Sequence, residues 1–473
     1  MPIIIPGNRL ASTGYAIDQS IRFNSADSAY MSRTPSSTGN RKTFTSSFWV
    51  KLGDLTDCSL PMPSVSQSAN YGAFLSSGII QFFIYYTGSS WQGQLYTNRV
   101  FRDPSAWYHF VIVVDTTQAI STERVRIYIN GQRETSFSTE NYPNQNQDTD
   151  WNNSGEAMGV GVNAASFSGS FGEYYAAEMH YLDGYAYGPE YFGETNDSGI
   201  WIPKEYTGSY GTNGFKIDGR DSSDLGDDES GNGNDFTTSG LASHDQVLDS
   251  PTNNFAVMNP LADYYANHTF KNGNLELLTS TTTNQYTYSI NNIGMSSGKW
   301  YAEMYVGSIA GQCLIGISDR QSQGGTHYLG SQSYEYSWYS YNGKSINGGT
   351  QSTFASTYTT NDIIGVALDL DNSKLYFSKN GSFVNSGDPT SGSTGTGAIS
   401  ITAVGSTQNG HYFFAVGDYS NAGQITVYWN FGQEGTFAGN TTAGGNSDSN
   451  GVGNFKYSVP SGYLALCTKN LGS

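Results

Sequence analysis

The chain has 473 residues, about three times the usual ~150 residues of a domain, which predicts two or three domains with cores of their own. Lysine and arginine number 22 against 40 aspartates and glutamates, and the formal net charge of −18 disfavours nucleic acid as a partner. Only 13% of the residues are charged whereas glycine (57) and tyrosine (35) are abundant, which is not the composition of a helical bundle.

Neither the cysteines nor the N-terminal segment indicates a special compartment. Cys58, Cys313 and Cys467 are far apart and form no CxxC pair, so no disulfide framework or thiolate metal site is expected. The segment Met1–Arg9 is apolar for only three consecutive residues, and no apolar run approaches the ~18 residues of a membrane-spanning helix. We therefore expect a soluble protein with no Sec-type signal and no membrane insertion.

An apolar period of two, typical of β-strands, runs through almost the whole chain. Trp107–Val114 is a nearly continuous apolar run, as expected of a strand that is covered on both faces. Val125, Ile127 and Ile129 alternate with polar residues and predict a half-buried strand. The dipeptide Asn130-Gly131 that follows predicts a tight hairpin turn.

The same order of signals recurs in residues 362–382, where an apolar strand, a polar turn, an alternating strand and Asn-Gly follow one another. The alternating residues are Val366, Leu368 and Leu370, then Leu375 and Phe377 after the turn Asp371–Ser373, and later Ile425, Val427, Trp429 and Phe431. Turn signals come about every ten residues and no long amphipathic helix is visible. We predict an all-β chain with two antiparallel β-sandwich domains.

The composition divides the chain into an N-terminal arm (1–19), a first sandwich (20–200), a connector (201–268) and a second sandwich (269–473). The connector is rich in Asp, Asn and Gly and has few apolar positions, so we expect it to have little core of its own. The arm is either a strap that docks on a partner subunit or a frayed terminus.

Two families are recognisable in segments of the chain. Ser20–Ile200 resembles a laminin-G or concanavalin-A-like jelly-roll domain of marine phage proteins, through SIRFNSADSAYMSRTPSS, TFTSSFWVKLGDL, WYHFVIVVD, RVRIYINGQ and AAEMHYLDGYAYGPEYFGE. Gly298–Leu471 resembles an SPRY domain, through GKWYAEMYVG, CLIGISD, NDIIGVALDLDNSKLYFSKNG, HYFFAVGDYS, ITVYWNFGQ and SGYLAL. The segment LDSPTNNFAVMNPL resembles the lead-in to SPRY domains of phage virion proteins, whereas the insertion 435–454 departs from the family pattern.

No motif for catalysis stands out. The six histidines, none in a metal-ligand spacing, are His109, His180, His244, His268, His327 and His411. There is no GxSxG elbow, Walker loop or GxGxxG motif. The enzymatic alternative is a glycoside hydrolase that uses paired carboxylates, for which Glu173, Glu178 and Asp183 are the candidates. Glu178 and Asp183 are five residues apart and would face opposite sides of a regular strand, so we expect no enzyme.

The densest group of oxygen ligands lies in the connector, where the glycines would let a loop wrap an ion. The candidate Ca²⁺ ligands are Asp224, Asp227, Asp228, Asn232, Asn234 and Asp235, and the spacing does not fit an EF-hand. A solvated acidic linker is the alternative. A bound ion would stiffen the joint between the two sandwiches.

Aromatic residues crowd into SYEYSWYSYNGK, which supplies the candidate ligand-binding residues Tyr334, Tyr336, Trp338, Tyr339 and Tyr341. On a regular strand the first three share one face and the last two share the other. Tyrosine faces stack on sugar rings and their hydroxyls form hydrogen bonds. We expect Trp338 in the core, whereas Tyr339 and Tyr341 either help to build the core as well or are exposed for recognition.

Together these features predict a recognition or architectural module rather than an enzyme. The resemblance implies a virion protein at the external surface or tail, such as a tail-fibre or appendage adhesin that binds a host surface glycan or protein. A capsid-surface fibre or decoration protein and a polysaccharide depolymerase are the alternatives. The expected partners are other virion proteins and the host surface ligand, and a homo-oligomer is expected by analogy.

Overall fold

The computed structural model describes residues 14–53, 55, 57–66, 72–84, 86–87, 90–91, 93–262, 268–279, 286–322, 327–419 and 423–471. They form two compact units that divide after Asn253. We call residues 14–253 the N-terminal sandwich and residues 254–471 the C-terminal sandwich. The helical pieces of the described residues are 3-10 turns of three residues, and none is long and apolar enough to cross a membrane.

The strands of the N-terminal sandwich are mostly short. They are β1 (Ser20–Phe23), β2 (Tyr30–Arg33), β3 (Thr43–Leu52), β4 (Cys58–Ser59), β5 (Ser64–Val65), β6 (Gly72–Ser76), β7 (Ile79–Phe83), β8 (Tyr86–Thr87), β9 (Ser90–Trp91), β10 (Gln94–Val100), β11 (Trp107–Asp115), β12 (Val125–Ile129), β13 (Gln132–Arg133), β14 (Phe137–Asn141), β15 (Met158–Val160), β16 (Tyr174–Asp183), β17 (Gly193–Thr195), β18 (Trp201–Pro203), β19 (Phe215–Ile217), β20 (Thr237–Ser239) and β21 (Gln246–Val247). Its 3-10 turns are Ser25–Asp27, Ser121–Glu123, Pro189–Tyr191 and Ser243–Asp245.

The C-terminal sandwich continues the same pattern. Its strands are β22 (Thr269–Lys271), β23 (Glu276–Leu278), β24 (Tyr288–Ile290), β25 (Lys299–Ile309), β26 (Cys313–Ser318), β27 (Glu335–Tyr339), β28 (Ser345–Asn347), β29 (Thr350–Ser352), β30 (Ile363–Asp369), β31 (Lys374–Lys379), β32 (Ser382–Phe383), β33 (Ile399–Ser400), β34 (Phe413–Asp418), β35 (Ile425–Asn430) and β36 (Leu464–Ala465). Its 3-10 turns are Pro260–Ala262, Gly392–Thr394 and Val404–Ser406.

The N-terminal sandwich is built on a sheet in the order β13-β12-β11-β3-β16-β1-β21, with β19 also paired to β16. Its core lies between this sheet and two smaller ones, β14-β10-β7-β6-β4 and β20-β2-β15-β5. Strand β11 is covered on both faces, as predicted: Phe110 and Ile112 point into this core, whereas Val111 and Val113 lie in a second apolar cluster on the outer face. Strand β12 buries Val125, Ile127 and Ile129 on one side, also as predicted.

The segment that was expected to be a connector with little core of its own is largely part of the N-terminal sandwich. Three of its strands join the sheets of the N-terminal sandwich, since β19 pairs with β16, β20 with β2 and β21 with β1. Phe215, Ile217, Leu225 and Phe236 are buried in the core of that sandwich. The apolar residues of the connector are few, but four of them reach the core and three of its strands join the sheets, so residues 201–253 fold with the first domain.

The expected N-terminal arm falls partly outside the described residues, which begin at Gly14. Its last residues lie along the outer face of the large sheet of the N-terminal sandwich, where Ile17 packs with Trp49 and Ala177. The backbone N–H of Ile17 donates to the hydroxyl of Thr252, and that hydroxyl donates back to the carbonyl of Ile17 (2.6 Å). We call residues 14–19 the strap.

The C-terminal sandwich packs two sheets around a core of large apolar side chains. The larger sheet runs β22-β23-β35-β25-β30-β31-β32, with β33 paired to β31 and β36 to β25, and the smaller runs β24-β34-β26-β27-β28-β29. The predicted hairpin is present because β30 pairs with β31 across the Asp371–Ser373 turn. Ile425, Val427 and Trp429 of β35 are buried in the core, as the alternation predicted. Phe437 of the insertion packs on Tyr305 in the same sandwich.

Candidate functional site

The predicted aromatic segment forms strand β27, and its inward face builds the core. Tyr336 is 4% exposed and Trp338 is fully buried, with the ring of Tyr358 at 4.8 Å from the indole. Tyr334 is half-buried against the same core. The expected core position of Trp338 is confirmed. Tyr336 and Trp338 have no surface with which to contact a ligand, because the period of two turns them inward.

The other face of β27 carries Tyr339, which ends the strand, and Tyr341 follows in the turn. Tyr341 is 69% exposed, which is the exposed one of its two alternatives. Tyr339 is only 3% exposed because the ring of Tyr419 covers it at 5.0 Å, so of the two alternatives for Tyr339 the structure shows the core position. Tyr341 lies 5.9 Å from the Tyr339 ring.

Tyr419 brings together tyrosines from separate parts of the sequence. Its ring lies 4.4 Å from that of Tyr328 in an edge-on arrangement and 5.8 Å from that of Tyr286. We call the five residues Tyr286, Tyr328, Tyr339, Tyr341 and Tyr419 the tyrosine patch. Tyr286, Tyr328 and Tyr419 are half-buried, so part of each ring reaches solvent. The sequence analysis did not identify these three tyrosines as candidate ligand-binding residues. Tyr419 could have been identified, because it follows directly on the apolar strand β34.

Backbone hydrogen bonds hold the tyrosine patch in place. Strand β26 lies between β34 and β27 and pairs Leu314 with Tyr339, and the N–H of Tyr419 donates to the carbonyl of Gln312 at 2.8 Å. Burial, together with the neighbouring Tyr419, raises the pKa of Tyr339 and of Tyr328. These phenols therefore keep their protons at neutral pH, and each hydroxyl can both donate and accept a hydrogen bond. A fixed group of aromatic faces with such hydroxyls suits the C–H face and the hydroxyls of a sugar.

The acidic segment does not form the predicted Ca²⁺ site. Asp228 accepts hydrogen bonds from the N–H groups of Lys216, Ser230 and Asn234, and Asp235 accepts from the N–H of Asp228. The carboxylate of Asp224 likewise accepts from its own loop, and the side-chain amides of Asn232 and Asn234 donate to backbone carbonyls, whereas Asp227 is exposed. The side chains are turned to their own backbone, and the described residues contain no group of three or more His, Cys, Asp or Glu placed to hold a metal ion.

The carboxylates considered for a hydrolase lie apart along β16. Glu173 precedes the strand and accepts from the N–H and hydroxyl of Ser25, while Asp183 ends the strand and accepts from the N–H groups of Asn40 and Asn213. Leu182, next to Asp183, belongs to the outer cluster, so Asp183 faces the other side. Each of the two carboxylates fixes a loop to the strand.

Glu178 reaches the outer face through a β-bulge. Between Ala177 and His180 strand β16 advances three residues while β3 advances two, so one residue is extra. Ala177 faces outward and Met179 faces the core, and Glu178 between them is the extra residue, with φ of 47°. Without the bulge its carboxylate would follow the alternation into the apolar core.

The Glu178 carboxylate is surrounded by donors. His180 Nε2 lies at 3.1 Å, Lys216 Nζ at 3.2 Å and the hydroxyl of Tyr15 at 2.9 Å. Burial by itself would raise its pKa, but the hydrogen bond from His180 and the charge of Lys216 lower the pKa of Glu178 to about 2. A carboxylate that holds no proton at neutral pH, already accepts two hydrogen bonds and is paired with the Lys216 ammonium is a poor general acid or base.

His109 is next to this cluster and is locked in one tautomer. Trp201 Nε1, which can only donate, lies 3.0 Å from Nδ1, so Nε2 carries the proton and donates to the Ser47 hydroxyl at 2.9 Å. Burial and the neighbouring His180 lower the pKa of His109 to about 3. His109 cannot activate Ser47, because the nitrogen that faces the hydroxyl is protonated.

Known families match two stretches of the chain. The concanavalin A-like lectin/glucanases superfamily profile, Laminin_G_3, matches residues 24–175, and the SPRY domain profile matches residues 299–415. The chain carries a concanavalin A-like domain followed by a SPRY domain. The first match ends before Glu178, and the second includes Tyr328, Tyr339 and Tyr341 of the tyrosine patch.

Solved structures are similar to the SPRY domain. The SPRY domain of human HERC1 is 18% identical over 36% of this chain and 96% of its own length, with a TM-score of 0.27. Another human SPRY domain is 17% identical over 33% of this chain and 91% of its own length, with a TM-score of 0.24. A search of curated proteins finds no match to this chain.

Proposed function

We propose that this chain is a non-enzymatic recognition protein that binds a surface glycan through the tyrosine patch of its SPRY domain. The observation that carries the proposal is the cluster of five tyrosines, in which the rings of Tyr286, Tyr328 and Tyr339 lie against Tyr419, while Tyr341 lies beside Tyr339 and is 69% exposed. A contiguous group of aromatic rings at a protein surface is typical of a binding site, and tyrosine offers both a stacking face and a hydrogen-bonding tip. The net charge of −18 favours a neutral glycan over an acidic one.

The proposed setting is the external surface or tail of a virion, where the protein acts as an adhesin. This part of the proposal is supported by the resemblance of the chain to phage virion proteins. The depolymerase alternative gains no support from Glu178, since that carboxylate is held ionised by three donors. Turnover of a polysaccharide by the purified chain would nevertheless contradict the proposal.

The test is binding of the purified chain to an array of neutral and acidic glycans and to intact host cells. The double variant Tyr341→Ala with Tyr419→Ala removes the most exposed ring and the ring that joins the others. Each stacking contact is worth about 0.5–1.5 kcal/mol, so the double variant is expected to weaken binding by roughly tenfold or more. Tyr191→Ala, which removes a tyrosine that is 42% exposed on the N-terminal sandwich, is the matched control and should bind like the unchanged chain.

Equal binding by the double variant, with an unchanged melting temperature, would remove the tyrosine patch from the proposal. If Tyr191→Ala weakened glycan binding as much as the double variant does, any exposed tyrosine would contribute to binding. That result would also contradict a defined binding site. Binding should persist in EDTA, because the described acidic segment uses its side chains for its own backbone.

A further inference from the structure

A lysine and an aspartate are buried together on the outer face of the large sheet of the N-terminal sandwich. Lys51 lies on the same side of β3 as Trp49, and its Nζ is 2.7 Å from Oδ2 of Asp249. The two side chains are 1% and 0% exposed, and no other lysine in the described ranges is buried. The two charges have lost their hydration, a cost that can exceed the gain from their mutual attraction.

The register of the sheet surrounds Lys51 with aromatic rings. Trp107 of β11 and Tyr175 of β16 are its direct neighbours on the two flanking strands. The Lys51 ammonium is 5.5 Å from the centre of the Tyr175 ring, and the rings of Trp107 and Tyr175 are 6.5 Å apart. These rings help to exclude water from the pair.

The carboxyl group of Asp249 is held from two sides. Trp107 Nε1 donates to Oδ1 at 3.1 Å, and Lys51 Nζ lies against Oδ2. The backbone is fixed as well, because the hydroxyl of Ser20 donates to the carbonyl of Asp249 at 2.6 Å and Val247 pairs with Ser20 between β21 and β1. The nitrogen and the carboxyl group are therefore kept in contact by the fold.

The surroundings of the pair favour its uncharged form. Burial lowers the pKa of Lys51, against the opposing charges of Asp249 and Asp103. An amine without its proton is a nucleophile, and a carboxyl group that holds the proton is the form that an amine attacks. The passage of one proton across the 2.7 Å between Nζ and Oδ2 produces both forms at once.

From this geometry we propose that Lys51 and Asp249 condense into an isopeptide bond that cross-links β3 to the last part of the N-terminal sandwich. The ammonium gives one proton to Oδ2, and the electron pair freed on Nζ forms a bond to Cγ. The negative charge moves to Oδ1, where the indole N–H of Trp107 stabilises it. Nitrogen then gives a second proton to Oδ2, the bond between Cγ and Oδ2 breaks, and this oxygen leaves as water. The step needs no oxidant and no other reactant.

Two physical effects favour the condensation inside the fold over the same reaction in water. Groups that are held in contact react as if one of them were present at roughly 10⁵–10⁸ M, which removes the entropy cost of bringing them together. The amide carries no charge, so the cost of burying two ions disappears in the product. In the product, the amide oxygen is still available to the indole N–H of Trp107.

The cross-link would join positions that are 198 residues apart in the chain. Asp249 lies just before the boundary after Asn253, so the bond would fasten the end of the first domain to a central strand of its largest sheet. A covalent bond that closes so long a loop stabilises a domain by restricting its unfolded chain. This proposal concerns the N-terminal sandwich and is independent of glycan binding by the tyrosine patch.

The test is mass spectrometry of the denatured, unchanged full chain. The measured mass should be lower than the mass of the sequence by one water molecule. Trypsin, which does not cleave after an acylated lysine, should yield a branched peptide that joins the segment around Lys51 to the segment around Asp249. Lys51→Arg and Asp249→Ala should each restore the full mass of the sequence and abolish the branched peptide. Because the first measurement uses the unchanged chain, the result does not depend on how well a variant folds.

The ion pair of Lys299 and Asp369 is an internal control. Its atoms are 3.1 Å apart, but the Lys299 side chain is 25% exposed and keeps its hydration in part, so no branched peptide is expected from this pair. Lys299→Arg should leave the branched peptide of Lys51 and Asp249 unchanged. The full mass of the sequence in the unchanged chain, together with tryptic cleavage after Lys51, would show an ion pair only and overturn the proposal. The same loss of water in Lys51→Arg would also overturn it.

Discussion

His109 shows how burial decides the chemistry of a single residue. Its ring stacks on Trp49 at 4.6 Å and on Trp201 at 6.0 Å, and both ring nitrogens are occupied by Trp201 and Ser47. A second proton, on Nδ1, would face the N–H of Trp201, which cannot accept it, and burial together with the neighbouring His180 lowers the pKa of His109 to about 3. A histidine that the sequence left open between packing and catalysis is a neutral packing residue with two hydrogen bonds.

The lowered pKa of His109 predicts that the N-terminal sandwich loses stability in acid. The folded pKa lies below the unfolded value near 6.5, so between about pH 6.5 and pH 3 the unfolded chain binds a proton that the folded chain does not. Stability should therefore fall as the pH falls through this window, by up to about 1.4 kcal/mol per pH unit from one proton. Glu178, whose folded pKa is about 2, should add a further loss below about pH 4.5.

The measurement is urea unfolding of the chain at a series of pH values. His109→Gln, which keeps one donor and one acceptor but does not titrate, should flatten the curve between pH 6.5 and pH 5 and leave the loss below pH 4.5. A curve that His109→Gln does not change in the upper window would contradict this account.

At the scale of elements, two hairpins end in the same turn. Asn130 and Gly131 have φ of 47° and 77°, and Asn380 and Gly381 have φ of 50° and 82°. Two consecutive positive φ values are those of a type I′ turn, whose twist matches the flanking strands. The tight hairpin turn predicted from the Asn-Gly dipeptide is therefore confirmed, because these two residues determine the turn type.

A substitution at Gly381 tests the turn. Its φ of 82° is unfavourable for a side chain, and a Cβ atom would lie 2.6 Å from the Tyr457 ring. Gly381→Ala should lower the free energy of unfolding of the C-terminal sandwich by about 1–2 kcal/mol. Gly405→Ala, at a glycine with open space around it, is the matched control and should be nearly neutral. Equal effects of the two variants would contradict the turn assignment.

At the scale of the whole molecule, the chain has two separate cores and a boundary after Asn253. The acidic residues that look like a linker in the sequence hold loops of the first domain, and β19, β20 and β21 complete its sheets. A segment of low apolar content can thus be an integral part of a domain when several of its apolar residues reach the core, as Phe215, Ile217, Leu225 and Phe236 do.

Truncation tests this boundary. A fragment of residues 1–253 should fold alone, whereas residues 1–200 should not, because they lack Phe215, Ile217 and Phe236 from the core. Loss of a large buried side chain costs about 2–5 kcal/mol, so three such losses cost about 6–15 kcal/mol, which is comparable with the whole 5–15 kcal/mol stability of a typical domain. Amide dispersion in NMR spectra distinguishes the two fragments. A folded fragment of residues 1–200 would restore the connector interpretation.

Periodicity and turn type are local properties of the chain, and they were enough to predict the all-β class, the principal strands, the Asn-Gly turns and the core position of Trp338. Tertiary structure decided the rest. The tyrosine patch joins residues from 286 to 419, and the bulge at Glu178 depends on the register of β16 against β3. Short strands such as β19 and β21 become strands only when a distant partner supplies their hydrogen bonds, and no local pattern records that partner.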